Sequence, residues 1–133
     1  MARILVVEDN DEIAAYLIDM LHSAHYEIDR AATAEGAVLR VKHNRYDLIL
    51  MDLLLLERPH TTEAPGLAPS ANGAITTMAL RYLGYVGPVI MLTGNLAGID
   101  EEVIEAARFT GRLLKPALPK DVLPAVARYL KTD

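Results

Sequence analysis

The chain reads as an α/β protein: a parallel sheet of short strands sandwiched between layers of helices. Three observations predict this. Four largely apolar runs, Arg3-Ile4-Leu5-Val6-Val7, Leu48-Ile49-Leu50-Met51, Val89-Ile90-Met91-Leu92 and Leu113-Leu114, are too short for helices and continuous enough for strands covered on both faces. Segments of helical period separate them. Each run also leads into residues with chemistry to offer: Glu8-Asp9, Asp52, Thr93 and Lys115-Pro116.

Composition bounds the rest. The 133 residues suffice for one domain with a real core, taken here as 1–133, and are too few for two ordinary ones. Hydrophobic residues make up 52% and charged residues 23%, a globular balance rather than a disordered one. A formal net charge of −5 argues against direct contact with nucleic acid. The absence of cysteine removes disulfides and thiolate metal sites. No apolar run approaches the length of a membrane span, and the start of the chain lacks a signal-peptide layout. The expectation is a soluble, cytoplasmic protein with no membrane partner.

The elements follow in order. Strand one is Arg3–Val7, and Asp11 is the expected N-cap of the first helix. Ala14, Leu17, Ile18 and Leu21 give that helix one apolar face. A more polar strand over 26–31 fits a sheet edge. A second helix over Ala34–His43 turns Ala37, Val38 and Val41 inward, and His43 suits its C-terminal dipole. Strand three is Leu48–Asp52. Residues 57–73 hold Pro59, Pro65, Pro69, Gly66 and Gly73, an extended loop by composition. A helix over 75–83, a strand over 88–92, a helix over 99–108 with Val103, Ile104 and Ala107 inward, and a strand over 112–114 come next. Pro124 would clash inside a helix, so the last helix is expected to start at Asp121 as N-cap. Its inner face would be Leu123, Val126, Ala127 and Leu130. Five alternating strands and helices predict a doubly wound, flavodoxin-like (βα)5 sandwich with strand order 2-1-3-4-5.

Such sheets place their chemistry beyond the carboxyl ends of the strands. Three carboxylates, a hydroxyl and an ammonium should therefore meet at one edge. Clustered carboxylates repel unless a cation lies among them, which points to a divalent metal and a phosphoryl group. Taken singly, Glu8-Asp9 could be a helix-start acidic pair, Asp52 a turn residue, Thr93 a strand-end hydroxyl and Lys115 a surface lysine. Their joint occurrence, in this order and each at a strand end, is similar to the response-regulator receiver domain of two-component signalling. The resemblance covers nearly the whole chain.

The resemblance implies the following roles. Asp52 would be the phosphoacceptor; a carboxylate is already ionised at neutral pH and needs no general base to act as nucleophile. Mg2+ would be bound by Glu8, Asp9, Asp52 and the Leu54 backbone carbonyl. Lys115 and Thr93 would meet phosphoryl oxygens, and Gly94 would leave room for them. Lys115-Pro116 would be cis. Leu54 and Asn95 would lie where dephosphorylation is tuned. The donor would be a histidine kinase or phosphotransfer protein, and output would pass to a downstream target protein. The chain would promote its own phosphorylation and dephosphorylation rather than turn over a substrate.

Three departures qualify the resemblance. The position three before the lysine, usually aromatic, is Arg112, whose guanidinium stays charged and cannot turn inward as a ring does. The usual switch is thereby altered. Leu56 replaces an expected proline, and the 57–73 loop carries extra residues beside Asp52. Arg108-Phe109 replaces a usual Gly-Ala pair, with Phe109 expected to pack under the last helix. Alternatives are a receiver-fold binding module that has lost regulation, a receiver cut from a larger regulator, and a haloacid-dehalogenase-type phosphatase. The last needs Asp-x-Asp-x-Thr after strand one, where this chain has Glu8-Asp9-Asn10-Asp11-Glu12.

Overall fold

The computed structural model describes residues 1–55, 72–94 and 101–131. Ten elements alternate along the chain: β1 (Arg3–Val7), α1 (Asp11–Ser23), β2 (Glu27–Ala31), α2 (Ala34–His43), β3 (Leu48–Asp52), α3 (Asn72–Tyr82), β4 (Val89–Thr93), α4 (Glu101–Ala107), β5 (Gly111–Leu114) and α5 (Pro119–Leu130). The five strands pair in parallel in the order β2-β1-β3-β4-β5, as predicted.

Every residue of β3 and β4 is buried, which accounts for their apolar runs. The alternating side chains of each strand feed two cores. Ile4, Val6, Leu48, Leu50, Ile90 and Leu92 pack with Leu17 and Leu21 of α1 and Val122 and Val126 of α5. Leu5, Val7, Ile49, Met51 and Val89 point the other way, against Ala37 of α2 and Leu80 of α3. Leu53, Ala74, Met91, Ile104 and Ala107 extend that second layer to α4. β2 and β5 are the edges, and neither carries a run of buried residues.

Several expectations need correction. The N-cap of α1 is Asn10, whose Oδ1 accepts from the Ile13 N–H at 2.9 Å; Asp11 is already inside the first turn. The inner face of α1 is Ala14, Leu17, Met20 and Leu21, with Ile18 only half-buried. α3 begins at Asn72, so the last two residues of the expected 57–73 loop belong to it; residues 56–71 lie outside the described residues, as do 99 and 100 ahead of α4. Gly73 permits the early start of α3. Its N–H donates to the Leu53 carbonyl at 2.9 Å, and a Cβ there would lie 2.8 Å from Leu53 Cα. Only glycine lets the helix press that closely on the end of β3.

α5 also starts earlier than expected. Pro119 takes its first position, where no N–H is needed, and Leu118 is the N-cap. Asp121 lies in the first turn, and Pro124 stands inside the helix. Pro124 offers the Lys120 carbonyl no N–H, and both residues are exposed, so that carbonyl can be hydrated. Val122 and Val126 are the buried residues of α5, Leu123 and Leu130 are half-buried, and Ala127 is exposed. Phe109 packs beside Leu80, Ile104 and Ala107 of α3 and α4, on the face opposite α5.

Arg81 fastens this side of the molecule. Its guanidinium donates to the carbonyls of Tyr85 (3.0 Å), Gly87 (2.6 Å) and Arg108 (2.8 Å), joining the turn after α3 to the end of α4. Burial lowers its pKa, and nearby Arg108 adds to that.

Candidate functional site at the carboxyl edge of the sheet

β1, β3 and β4 end side by side, and β5 ends next to β4. Glu8 and Asp9 follow β1, Asp52 closes β3, Thr93 closes β4 and Lys115 follows β5. The convergence read from the sequence is thus present. One carboxylate oxygen from each of Glu8, Asp9 and Asp52 lies within 4.8 Å of the others. Glu8 is 1% and Asp52 3% exposed, while Asp9 is half-buried. Lys115 Nζ donates to Asp52 Oδ1 at 3.0 Å and to Glu8 Oε1 at 3.3 Å. Two carboxylates and one ammonium therefore share a partly dry pocket, where their mutual charge is felt strongly.

Backbone donors hold the acids in place. The Asn10 N–H bonds Glu8 Oε2 at 3.1 Å, and the Leu54 N–H bonds Asp52 Oδ1 at 3.3 Å. Burial, then the Asp52 charge, raises the Glu8 carboxyl from 4.5 to about 7; the Asn10 N–H and Lys115 oppose that rise. Burial alone would lower the Lys115 pKa, but its hydrogen bond and attraction to Asp52, then those to Glu8, turn the net direction upward. Thr93 is buried at the end of β4, and its carbonyl accepts from the Lys115 N–H at 2.8 Å. Among the described residues, a Cβ at Gly94 would meet nothing within 4 Å. The Lys115-Pro116 peptide is cis.

Arg112 lies exposed on β5, with its Nη2 3.6 Å from Glu101 Oε1 at the start of α4. A charged pair thus occupies the position where an aromatic was expected. Asn95 lies outside the described residues. One contributor was missed in the sequence. Arg30, on the edge strand β2, reaches over the end of β1 to the Glu8 carbonyl and to Asp11. Its signal is a long cation one residue before the end of an edge strand, which no periodicity distinguishes from a solvated side chain.

The cluster has the composition a magnesium ion requires: oxygen donors from several carboxylates, with solvent access on one side. A recess of about 120 Å3 adjoins it, with Ile13 and Tyr16 of α1 on one wall and Lys115, Pro116 and Ala117 on the other.

Comparison with known proteins agrees with this architecture. The sequence matches the response regulator receiver domain over residues 4–127. Protein Rrf1 of Nitratidesulfovibrio vulgaris is 42% identical over 131 residues, covering 98% of this chain and 84% of that protein. Transcriptional regulatory protein BaeR of Escherichia coli is 26% identical, but the chain spans only 48% of its length. Among solved structures, the receiver domain of sensor histidine kinase PA1611 from Pseudomonas aeruginosa superposes with a TM-score of 0.79 at 29% identity, over 98% of both chains; that structure has a magnesium ion coordinated in its active site cleft. Chemotaxis protein CheY4 of Vibrio cholerae gives a TM-score of 0.77 at 26% identity, over 97% of this chain and 98% of that one. No helix among the described residues is long and apolar enough to cross a membrane. Matched along nearly its whole length and folded in the same strand order, the chain belongs to the response regulator receiver domain family.

Proposed function

We propose that this chain is a phosphoacceptor of a two-component or phosphorelay pathway, with Asp52 as the residue that carries the phosphoryl group. The observation that carries the reading is the contact of Lys115 Nζ with both Asp52 and Glu8, at 3.0 and 3.3 Å, in a pocket open beside Gly94. An ammonium so placed neutralises the resting acceptor and can pass to a phosphoryl oxygen once Asp52 is modified.

In the proposed reaction an Asp52 carboxylate oxygen bonds to phosphorus as the phosphorus–nitrogen bond of a phosphohistidine donor breaks. The electron pair of that bond stays on the departing imidazole. Lys115 and the Thr93 hydroxyl receive the phosphoryl oxygens, and Gly94 leaves them space. Glu8, Asp9 and Asp52, with the Leu54 carbonyl, would hold Mg2+, which when bound offsets the negative charge shared by the acids and the phosphoryl group. The donor is a histidine kinase or phosphotransfer protein, and output passes through changed contacts along α4, β5 and α5. The chain then acts as a signalling protein rather than as an enzyme with a released product. The single-domain reading of 1–133 is part of the same proposal.

The Arg112–Glu101 pair favours one variation. A threonine–aromatic switch has no aromatic here, so the state of Asp52 would be reported through charge at the start of α4. The experiment is uptake of phosphate from acetyl phosphate, followed by intact-protein mass. Wild type gains one phosphoryl mass when Mg2+ is present and not in excess chelator, and Asp52→Asn gains none. Modification of Asp52→Asn to the wild-type extent refutes the assignment.

A further inference from the structure

Arg30 has contacts that the proposed reaction does not use. Its Nε and Nη2 donate to the Glu8 carbonyl at 3.1 and 2.8 Å, and its Nη1 lies 2.9 Å from Asp11 Oδ1. The β1–β2 ladder explains why that carbonyl needs donors. Arg30 stands opposite Val6, and the Glu8 N–H donates to the Ala31 carbonyl at 3.1 Å. The Glu8 carbonyl comes just past that bond, where the two chains diverge into their helices. A guanidinium fork donates twice to it, in place of the single N–H that a continued strand would have provided.

The peptide joined to that carbonyl is the one between Glu8 and Asp9. A peptide unit is planar, so holding its oxygen also holds the Asp9 nitrogen and Cα. The side chain of Glu8 is already tied by Asn10 and Lys115, while the Asp9 carboxylate has no such tether among the described residues. Holding that peptide therefore restricts where the Asp9 side chain can reach. The pair with Asp11 matters less: the Asp11 side chain is 89% exposed, and ion pairs of that kind contribute little.

We propose that Arg30 is a positioning residue for the cation site: by clamping the Glu8–Asp9 peptide from the neighbouring strand, it presents the Asp9 carboxylate to a divalent cation. The assignment rests on reading Glu8, Asp9 and Asp52 as that site. Charge and positioning act in opposite directions here. Removing a cation beside an acidic cluster would by itself tighten Mg2+ binding; removing a clamp would weaken it.

The test is calorimetric titration of the whole chain with Mg2+, alongside the thermal midpoint with and without the ion. Arg30→Ala is expected to raise the dissociation constant by about ten-fold, the scale typical for groups that orient metal ligands. Asp11→Asn, which keeps the clamp, should stay within about two-fold of wild type, as an exposed pair implies. Arg30→Lys keeps the charge without the fork and should fall between; it also carries the comparison if Arg30→Ala does not fold. A merely structural role would lower the midpoint equally with and without Mg2+ and leave the dissociation constant unchanged, and that result overturns the assignment. Tighter binding by Arg30→Ala overturns it as well. Wild type that shows neither heat nor a shifted midpoint with Mg2+ overturns the cation site itself, which separates the two failures.

Discussion

Burial and the nearby Asp52 carboxylate together make Glu8 hard to ionise, with its pKa raised from 4.5 to about 7. Between those values the folded chain holds a proton on Glu8 that the unfolded chain has lost. The native state thus binds more protons, and stability falls as pH rises through that window. Urea unfolding in chelator should show wild type losing stability from about pH 5 to pH 7 relative to Glu8→Gln, which cannot titrate. Parallel pH profiles for the two proteins would contradict this. Lys115 contributes a dependence of the same sign at alkaline pH: its pKa is raised, so the stability it supplies is lost as pH climbs through that raised value. The acids, Thr93 and Lys115 were legible in the sequence because each directly ends or follows an apolar run. Arg30 was not, since its role depends on which backbone carbonyl lies across the edge of the sheet.

At the scale of elements, α5 keeps a local penalty that its packing overrides. Pro124 removes one intrahelical hydrogen bond, yet Val122 and Val126 are fully buried and hold the helix against the sheet. A proline inside a helix costs about 3 kcal/mol relative to alanine. Alanine frees the unfolded chain by roughly 0.4–1 kcal/mol. Pro124→Ala should therefore stabilise the protein by about 2 kcal/mol, measured as a higher urea midpoint at unchanged slope. An unchanged midpoint would mean that hydration of the Lys120 carbonyl already offsets the lost bond. The same helix shows where sequence reasoning stops. The rule against interior proline moved the expected start to Asp121, whereas burial of Val122 and the suitability of Pro119 at the first position draw the start earlier. α3 was misjudged for a related reason. Gly73 reads locally as a breaker, but its lack of a side chain is what allows the helix to sit against β3. The strands β3 and β4 were legible almost to the residue because burial on both faces leaves little choice of composition.

Across the whole molecule, ligation and folding are linked. A cation that binds only the folded chain stabilises it by about 2.7 kcal/mol at a hundred times its dissociation constant. Mg2+ should raise the thermal midpoint of the wild type, more at pH 8 than at pH 6, because Glu8 must lose its proton to act as a ligand. Asp52→Asn should lose most of that shift. An equal shift in both proteins would place Mg2+ elsewhere on the surface.

The two outer strands have a consequence of their own. A sheet edge offers unpaired amides to any extended chain that comes near, and other proteins' strands can be recruited there. β2 is lined with Glu27, Asp29 and Arg30, and Asp29 is already engaged by Arg3 at 3.0 Å and by the Tyr46 hydroxyl at 2.7 Å. β5 places Arg112 at the opposite margin. An incoming strand would have to strip water from these charges and break pairs already made. The sheet ends at its fifth strand without closing on itself, and the charges on β2 oppose the pairing of a further strand there.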